Sequence, residues 1–222
     1  MKRSCIIVAG GNGSRMGTEL PKQFLPVKGK PVLMHTIQNF CDFDFSIQLI
    51  VVLPPDEIGN WKELCKQHHF DIPHVLVAGG DTRFQSVKNG LALVDDADLI
   101  AIHDGVRPLV SHDTLHRCFN GAEETGTAIP VLPANESVRE GNINASVPVD
   151  RSRYFMVQTP QVFKASLIQE SYKQLWIPEF TDDASVVENA GVAVHLVMGN
   201  RENIKITFPE DLQIAELFLD WR

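Results

Sequence analysis

The chain has 222 residues and a formal net charge of −8, with 44% hydrophobic and 22% charged residues. Those figures describe one globular domain and exclude nucleic acid as a partner, because an acidic surface repels polyanions. No apolar run reaches membrane-spanning length, so no membrane partner is expected. The first apolar strand begins almost at once, leaving no room for a signal or transit peptide, and a cytoplasmic protein is expected.

In chain order, Cys5–Val8 reads as a first strand, short and apolar, followed by a glycine-rich segment. Val32, Leu33, Thr36, Ile37 and Phe40 recur at helical spacing after Pro31, a good first-turn residue. Ile47–Leu53, His74–Val77 and Leu99–His103 are short, β-branched runs that read as strands. The stripe Phe84, Val87, Leu91, Val94 predicts a helix over Phe84–Val94, and Ser111–Gly126 predicts another with Leu115, Cys118, Phe119 and Ala122 inward. The rhythm breaks between residues 131 and 158, where Glu136–Arg139 and Ile143–Val149 flank a Gly141-Asn142 turn. That stretch is too polar for core. It is either a solvated hairpin or an arm that a second subunit covers, as in a homodimer.

Alternation then resumes with helices Lys164–Leu175 and Asp182–Ala190, strands Ala193–Met198 and Ile204–Thr207, and a closing helix Pro209–Trp221. Strands alternating with helices predict an α/β fold: a single Rossmann-like domain spanning residues 1–222. Its sheet is mostly parallel and twisted, with helices on both faces and residues 131–158 protruding as a β-arm. Ligands of such sheets bind beyond the carboxyl ends of the strands. Cys5, Cys41, Cys65 and Cys118 lie far apart and read as reduced thiols.

The segment from Ala9 to Gln23 carries most of the chemistry. Gly10, Gly11 and Gly13 let backbone N–H groups approach a ligand, and Arg15 and Lys22 supply cations to phosphate oxygens. Lys22 lacks the preceding glycine and following Ser or Thr of a Walker A loop. The glycine after Gly11-x-Gly13 arrives at Gly17, one position late for the dinucleotide fingerprint. A second segment, Gly79-Gly80-Asp81-Thr82-Arg83, opens the helix that contains Ser86; Asp81 reads as a helix cap or as a nucleoside contact. A third, His103-Asp104-Gly105-Val106-Arg107-Pro108, ends a strand, so Asp104 reads as a turn cap or as a holder of a divalent cation or a substrate hydroxyl. His112 and His116 sit four apart on a helix, with Asp113 between them and no third ligand at a telling distance, so a solvated helix face is the better reading than a zinc site.

The run Ala9-Gly10-Gly11-x-Gly13-x-Arg15-Met16, then Pro21-Lys22-Gln23, resembles the signature loop of the sugar-phosphate nucleotidyltransferases. Within them it is most similar to the 2-C-methyl-D-erythritol 4-phosphate cytidylyltransferase family. Val149-Asp150-Arg151, Gln158-Thr159-Pro160-Gln161, Thr181-Asp182-Asp183-Ala184-Ser185 and Asn203-Ile204-Lys205-Ile206-Thr207 resemble further family segments in the same order. Two departures stand out. Gly105 and Val106 replace the usual alanines, and Glu136-Ser137-Val138-Arg139 stands where an Asp-Thr-Ile-Lys-like tetrad is usual, leaving the exact polyol phosphate open.

The resemblance implies transfer of CMP from CTP to a polyol phosphate, with release of pyrophosphate and Mg2+ on the triphosphate. It implies nucleotide contacts at Ala9, Gly10, Gly11, Gly13, Gly80, Asp81 and Ser86, and catalytic cations at Arg15, Lys22, Arg151 and Lys205. Asp104, Arg107, Thr159 and Thr181 would orient the acceptor, with Asp104 also a candidate metal ligand. It favours the covered arm over the solvated hairpin. The competing activities are a ribitol-5-phosphate cytidylyltransferase, a nicotinamide-dependent oxidoreductase and a nucleotide-binding module without catalysis. The oxidoreductase would need strict glycine spacing and an acidic residue closing the second strand, where Leu53-Pro54-Pro55 stands instead.

Overall fold

The secondary structure begins with β1 (Arg3–Val8), β2 (Pro26–Val27), β3 (Lys30–Pro31) and α1 (Val32–Phe43) in the computed structural model, which describes residues 1–11 and 20–221. There follow β4 (Gln48–Leu53), α2 (Ile58–Gln67), β5 (Val75–Ala78), α3 (Arg83–Leu91), β6 (Leu99–Asp104), α4 (His112–Thr125) and β7 (Thr127–Pro133). The second half adds β8 (Arg139–Gly141), β9 (Ser146–Pro148), β10 (Phe155–Val157), β11 (Gln161–Lys164), α5 (Ala165–Ser171), α6 (Asp183–Asn189), β12 (Leu196–Met198) and α7 (Glu210–Asp220).

The main sheet runs β10-β7-β11-β6-β1-β4-β5, with β12 also paired to β7. β1 lies parallel to β4 and β6, and β5 parallel to β4, whereas β11 runs antiparallel to both β6 and β7. The expected mostly parallel sheet therefore carries an antiparallel insertion. Strand alternation covers it on both faces. Cys5, Ile7, Leu49 and Val51 face α1, Trp61 of α2, and α4. Ile6, Ile50, Val52 and Ile102 face α3, α5 and α6. A third cluster seats Ala215 of α7 against Val27, Val106 and Ile206.

Several expected boundaries move, each for a local reason. The helix predicted over Phe84–Val94 ends at Leu91, yet Leu93 and Val94 continue in tight i→i+3 turns, so Val94 keeps the apolar period and still packs on the sheet. The helix predicted over Lys164–Leu175 ends at Ser171, whose carbonyl accepts from the Gln174 side chain. Ile204–Thr207 forms no strand: Ile206 N–H donates to the carbonyl of Val106, a loop residue with no ladder to extend. Sequence reading missed α2, of which only Trp61 is fully buried, its indole N–H donating to His74.

In the arm, β8 and β9 pair as a separate two-stranded sheet. Its turn closes between Asn142 and Ala145 rather than at Gly141-Asn142, because the Asn142 side chain accepts from the N–H groups of Asn144 and Ala145. No helix among the described residues is long and apolar enough to cross a membrane.

Candidate active site

Where β1, β4 and β6 end, the backbone holds together for one more residue before diverging. Ala9 N–H donates to Val52 O at 2.9 Å, Gly79 N–H to Leu53 O at 2.8 Å, and Gly105 N–H to Val8 O at 2.8 Å. Gly105 needs to be small here, since a Cβ would lie 2.8 Å from that of Ala9. The divergence opens a cavity of about 300 Å³ at the carboxyl edge of the sheet. Ala9, Gly10 and Gly11 line one side; Gly80, Asp81, Arg83 and Ser86 another; Lys22, Gln23, Asp104 and Lys205 also line it. A neighbouring cavity of about 430 Å³ shares Gly10, Gly80, Asp81 and Ser86 and extends to Pro54 and Pro55.

Local chemistry sets these walls. Thr82, not Asp81, caps α3 by accepting from Gln85 N–H, which leaves the exposed Asp81 at the rim. Ser86, one turn into α3, accepts from Gly80 N–H at 3.1 Å and fixes the glycine loop against the helix. Gln23 is buried and donates to Ala9 O at 2.9 Å, tying the turn that carries Lys22 to the end of β1. Lys22 Nζ donates to Ile206 O at 3.1 Å, so it stands beside the segment that bears Lys205.

Asp104 is the electrostatic centre. Its Oδ2 accepts from Arg107 Nε at 3.0 Å and pairs with Lys205 Nζ at 3.1 Å. Burial works against its ionisation, but Lys205, then Arg83 and Arg107, outweigh it and hold the carboxyl well below the usual carboxylate range. Arg107 is in turn anchored by Asn203 O at 2.8 Å. Thr159 Oγ1 accepts from Asp104 N–H at 3.0 Å and lies 3.0 Å from His103 Nδ1. His103 Nε2 meets Arg107 O at 2.9 Å, and burial pushes the imidazole down to about 4. The ring is therefore neutral, with Nε2 donating and Nδ1 accepting from Thr159.

The structure thus gathers Ala9, Gly10, Gly11, Lys22, Gly80, Asp81, Ser86, Asp104 and Lys205 on one cavity. Arg107 and Thr159 stand behind Asp104 as its supports rather than lining that cavity. Thr181 is exposed just before α6 and does not line it. Arg151 is exposed at the foot of the arm, its Nη1 donating to Asn135 O, and does not line it either. Gly13 and Arg15 lie outside the described residues.

Sequence reasoning gave Gln23 and Arg83 no role, although both line the cavity. Arg83 was legible as a cation at the first turn of a ligand-facing helix; its partner Asp183 lies 100 residues away. His112 and His116 both stand edge-on to the Phe43 ring. Among the described residues no three His, Cys, Asp or Glu side chains converge as a metal cage. Asp104 offers Oδ1, which accepts no hydrogen bond from the described residues, while Oδ2 is held by cations. That donor set fits a Mg2+ ion bound chiefly by substrate phosphates and water.

The family model for 2-C-methyl-D-erythritol 4-phosphate cytidylyltransferase matches residues 4–221. This chain belongs to that family. A cytidylyltransferase of that name from Bacteroides thetaiotaomicron is 54% identical, the match covering 99% of this chain and all of the relative. One from Bacteroides fragilis is 55% identical with the same coverage. The crystal structure of a 2-C-methyl-D-erythritol 4-phosphate cytidylyltransferase from Thermus thermophilus superposes with a TM-score of 0.81 at 32% identity, covering 99% of this chain and 100% of that one. The cytidylyltransferase family motifs quoted from the sequence therefore belong to a full-length relationship, not to an isolated loop.

Proposed function

We propose that this chain transfers CMP from CTP to 2-C-methyl-D-erythritol 4-phosphate, yielding 4-diphosphocytidyl-2-C-methyl-D-erythritol and pyrophosphate, a step of non-mevalonate isoprenoid synthesis in the cytoplasm. The observation that carries this reading is the convergence of Lys22, Arg83 and Lys205 with the Gly10-Gly11 and Gly80 backbone on one cavity. An acidic chain has gathered cations where two polyanions must meet.

The acceptor's phosphate oxygen attacks the α-phosphorus of CTP; the new O–P bond forms as the bond to the β-phosphate bridging oxygen breaks, and pyrophosphate carries away the electron pair. That nucleophile is already ionised at neutral pH, so no general base is required. Neutralisation and alignment do the work. Lys22, with Arg15, meets charge developing on the α-phosphoryl oxygens, while Lys205, held near Asp104, grips the acceptor phosphate. Gly80 and Ser86 border the two adjoining cavities, the space for the nucleoside. Bound Mg2+ supplies further neutralisation of the triphosphate, with Asp104 the carboxylate this chain offers it.

The chain acts as a homodimer joined through residues 131–158. Val147, Phe155, Met156 and Val157 are exposed within this segment, an apolar surface that a second copy would cover. Arg151 does not line its own cavity, which supports its acting on the phosphate bound in the cavity of the other subunit. Sedimentation that finds only monomers would reject the dimer. The activity is tested with a matrix of nucleoside triphosphates against 2-C-methyl-D-erythritol 4-phosphate and ribitol 5-phosphate, scored by pyrophosphate release. Release confined to CTP with the methylerythritol phosphate is expected; a preference for ribitol 5-phosphate overturns the acceptor, and no release with any pair overturns the enzyme.

A further inference from the structure

Arg83 is a cation of the cavity held by a buried network that lies outside it. It is the first helical residue of α3, and its Nη1 and Nη2 donate to the two carboxylate oxygens of Asp183 at 2.8 and 2.6 Å. Asp183 is the first residue of α6 and has no exposed side-chain surface. Its Oδ1 also accepts from the Tyr172 hydroxyl at 2.7 Å. The Tyr172 ring stacks on Phe84, the residue after Arg83, at 4.7 Å, and Phe84 stacks in turn on Phe180. Three separate elements therefore converge on one guanidinium. The capping box of Asp182 with Ser185, and Gln161 donating to Asp182 while accepting from Ala184 N–H, lock the turn that presents Asp183.

A buried carboxylate is costly unless paired, and pairing it with a residue of the cavity wall fixes that residue's direction. An arginine has five N–H donors. End-on pairing with Asp183 uses one from each terminal nitrogen, and Arg83 makes no other hydrogen bond among the described residues. Burial works against the charge, but Asp183 outweighs it, so Arg83 stays a cation. Burial, foremost, keeps the Tyr172 phenol protonated, hence a donor to Asp183.

We propose that Asp183 and Tyr172 are positioning residues for the nucleotide: they clamp the Arg83 guanidinium at the cavity wall so that its remaining N–H donors meet the CTP triphosphate. A guanidinium already held in place loses less rotamer freedom on binding than an unrestrained one. The clamp rests on the assignment of this cavity to CTP. It predicts that damage to the network appears in nucleotide affinity rather than in turnover.

The test is steady-state kinetics for both substrates on Asp183→Asn, Tyr172→Phe, Arg83→Lys and the double variant Arg83→Lys/Asp183→Asn, each checked for native circular dichroism. Asp183→Asn is expected to raise KM for CTP about tenfold while kcat and KM for the polyol phosphate stay within about twofold. Tyr172→Phe keeps the ring stack and should raise KM for CTP about threefold, deciding the matter should Asp183→Asn fail to fold. The double variant should be no worse than Arg83→Lys alone, because Asp183 acts only through Arg83. An unchanged KM for CTP in the folded variants, a loss of kcat in place of the KM effect, or additive losses in the double variant overturns the clamp. If KM for CTP is unchanged while Lys22→Ala lowers kcat, the cavity assignment stands and only the clamp fails; if neither change alters any parameter, the cavity assignment fails with it.

Discussion

His103→Asn is expected to remove a pH-dependent share of stability that the native chain loses on acidification. The His103 ring is fully buried, bonded through Nε2 to Arg107 O and through Nδ1 to Thr159, and packed edge-on to Phe40. Burial, ahead of the other influences, lowers its pKa from the ordinary 6.5 to about 4. Between those values the unfolded chain takes up a proton that the native chain refuses, so stability is intact above pH 6.5 and falls as pH drops toward 4. At 1.36 kcal/mol per pH unit, the displacement corresponds to about 3 kcal/mol.

Burial also lowers His35 and His74, so the native chain alone would show their combined effect. The difference between native protein and variant isolates His103. Asp104 acts in a separate window: its depressed carboxyl contributes stability that is present above the ordinary 3.8 and is lost below it. The assay is urea unfolding at fixed protomer concentration across the window from pH 6.5 to 4. His103→Asn loses the Phe40 contact and is weaker throughout, but its stability should fall by about 3 kcal/mol less than the native chain's over that window. Parallel stability curves for the two proteins would refute the buried neutral imidazole.

Lys22→Ala should lower kcat by about a hundredfold with little change in CTP binding, because the charge it meets develops in the transition state; an unchanged kcat in pyrophosphate-release assays removes Lys22 from catalysis. Lys205→Ala should act chiefly on the polyol phosphate, raising its KM by about tenfold, and a defect confined to CTP binding overturns that role. Mixing inactive Lys22→Ala and Arg151→Ala chains should restore roughly a quarter of native activity, since half of randomly formed dimers would contain one intact site. No restoration would confine both residues to the same subunit's site.

The sequence by itself determined the alternation of strands and helices through most of the chain, though not α2, together with the glycine turns and the motif order that marks the family. Those features are encoded within a few residues: Val32 to Phe40 keep a helical period, Ile47 to Leu53 a strand composition, and Gly10-Gly11 a permissive backbone. Tertiary structure decided what lies far apart in the chain. The Asp183 clamp on Arg83, the antiparallel β11, the placing of Arg107 and Thr159 behind Asp104, and the distance of Arg151 from its own cavity have no local signature. Local periodicity can report which face of an element is apolar. It cannot report which buried charge meets which partner, because that pairing exists only once the sheet has closed and a lone charge inside it has become too costly to leave unmet.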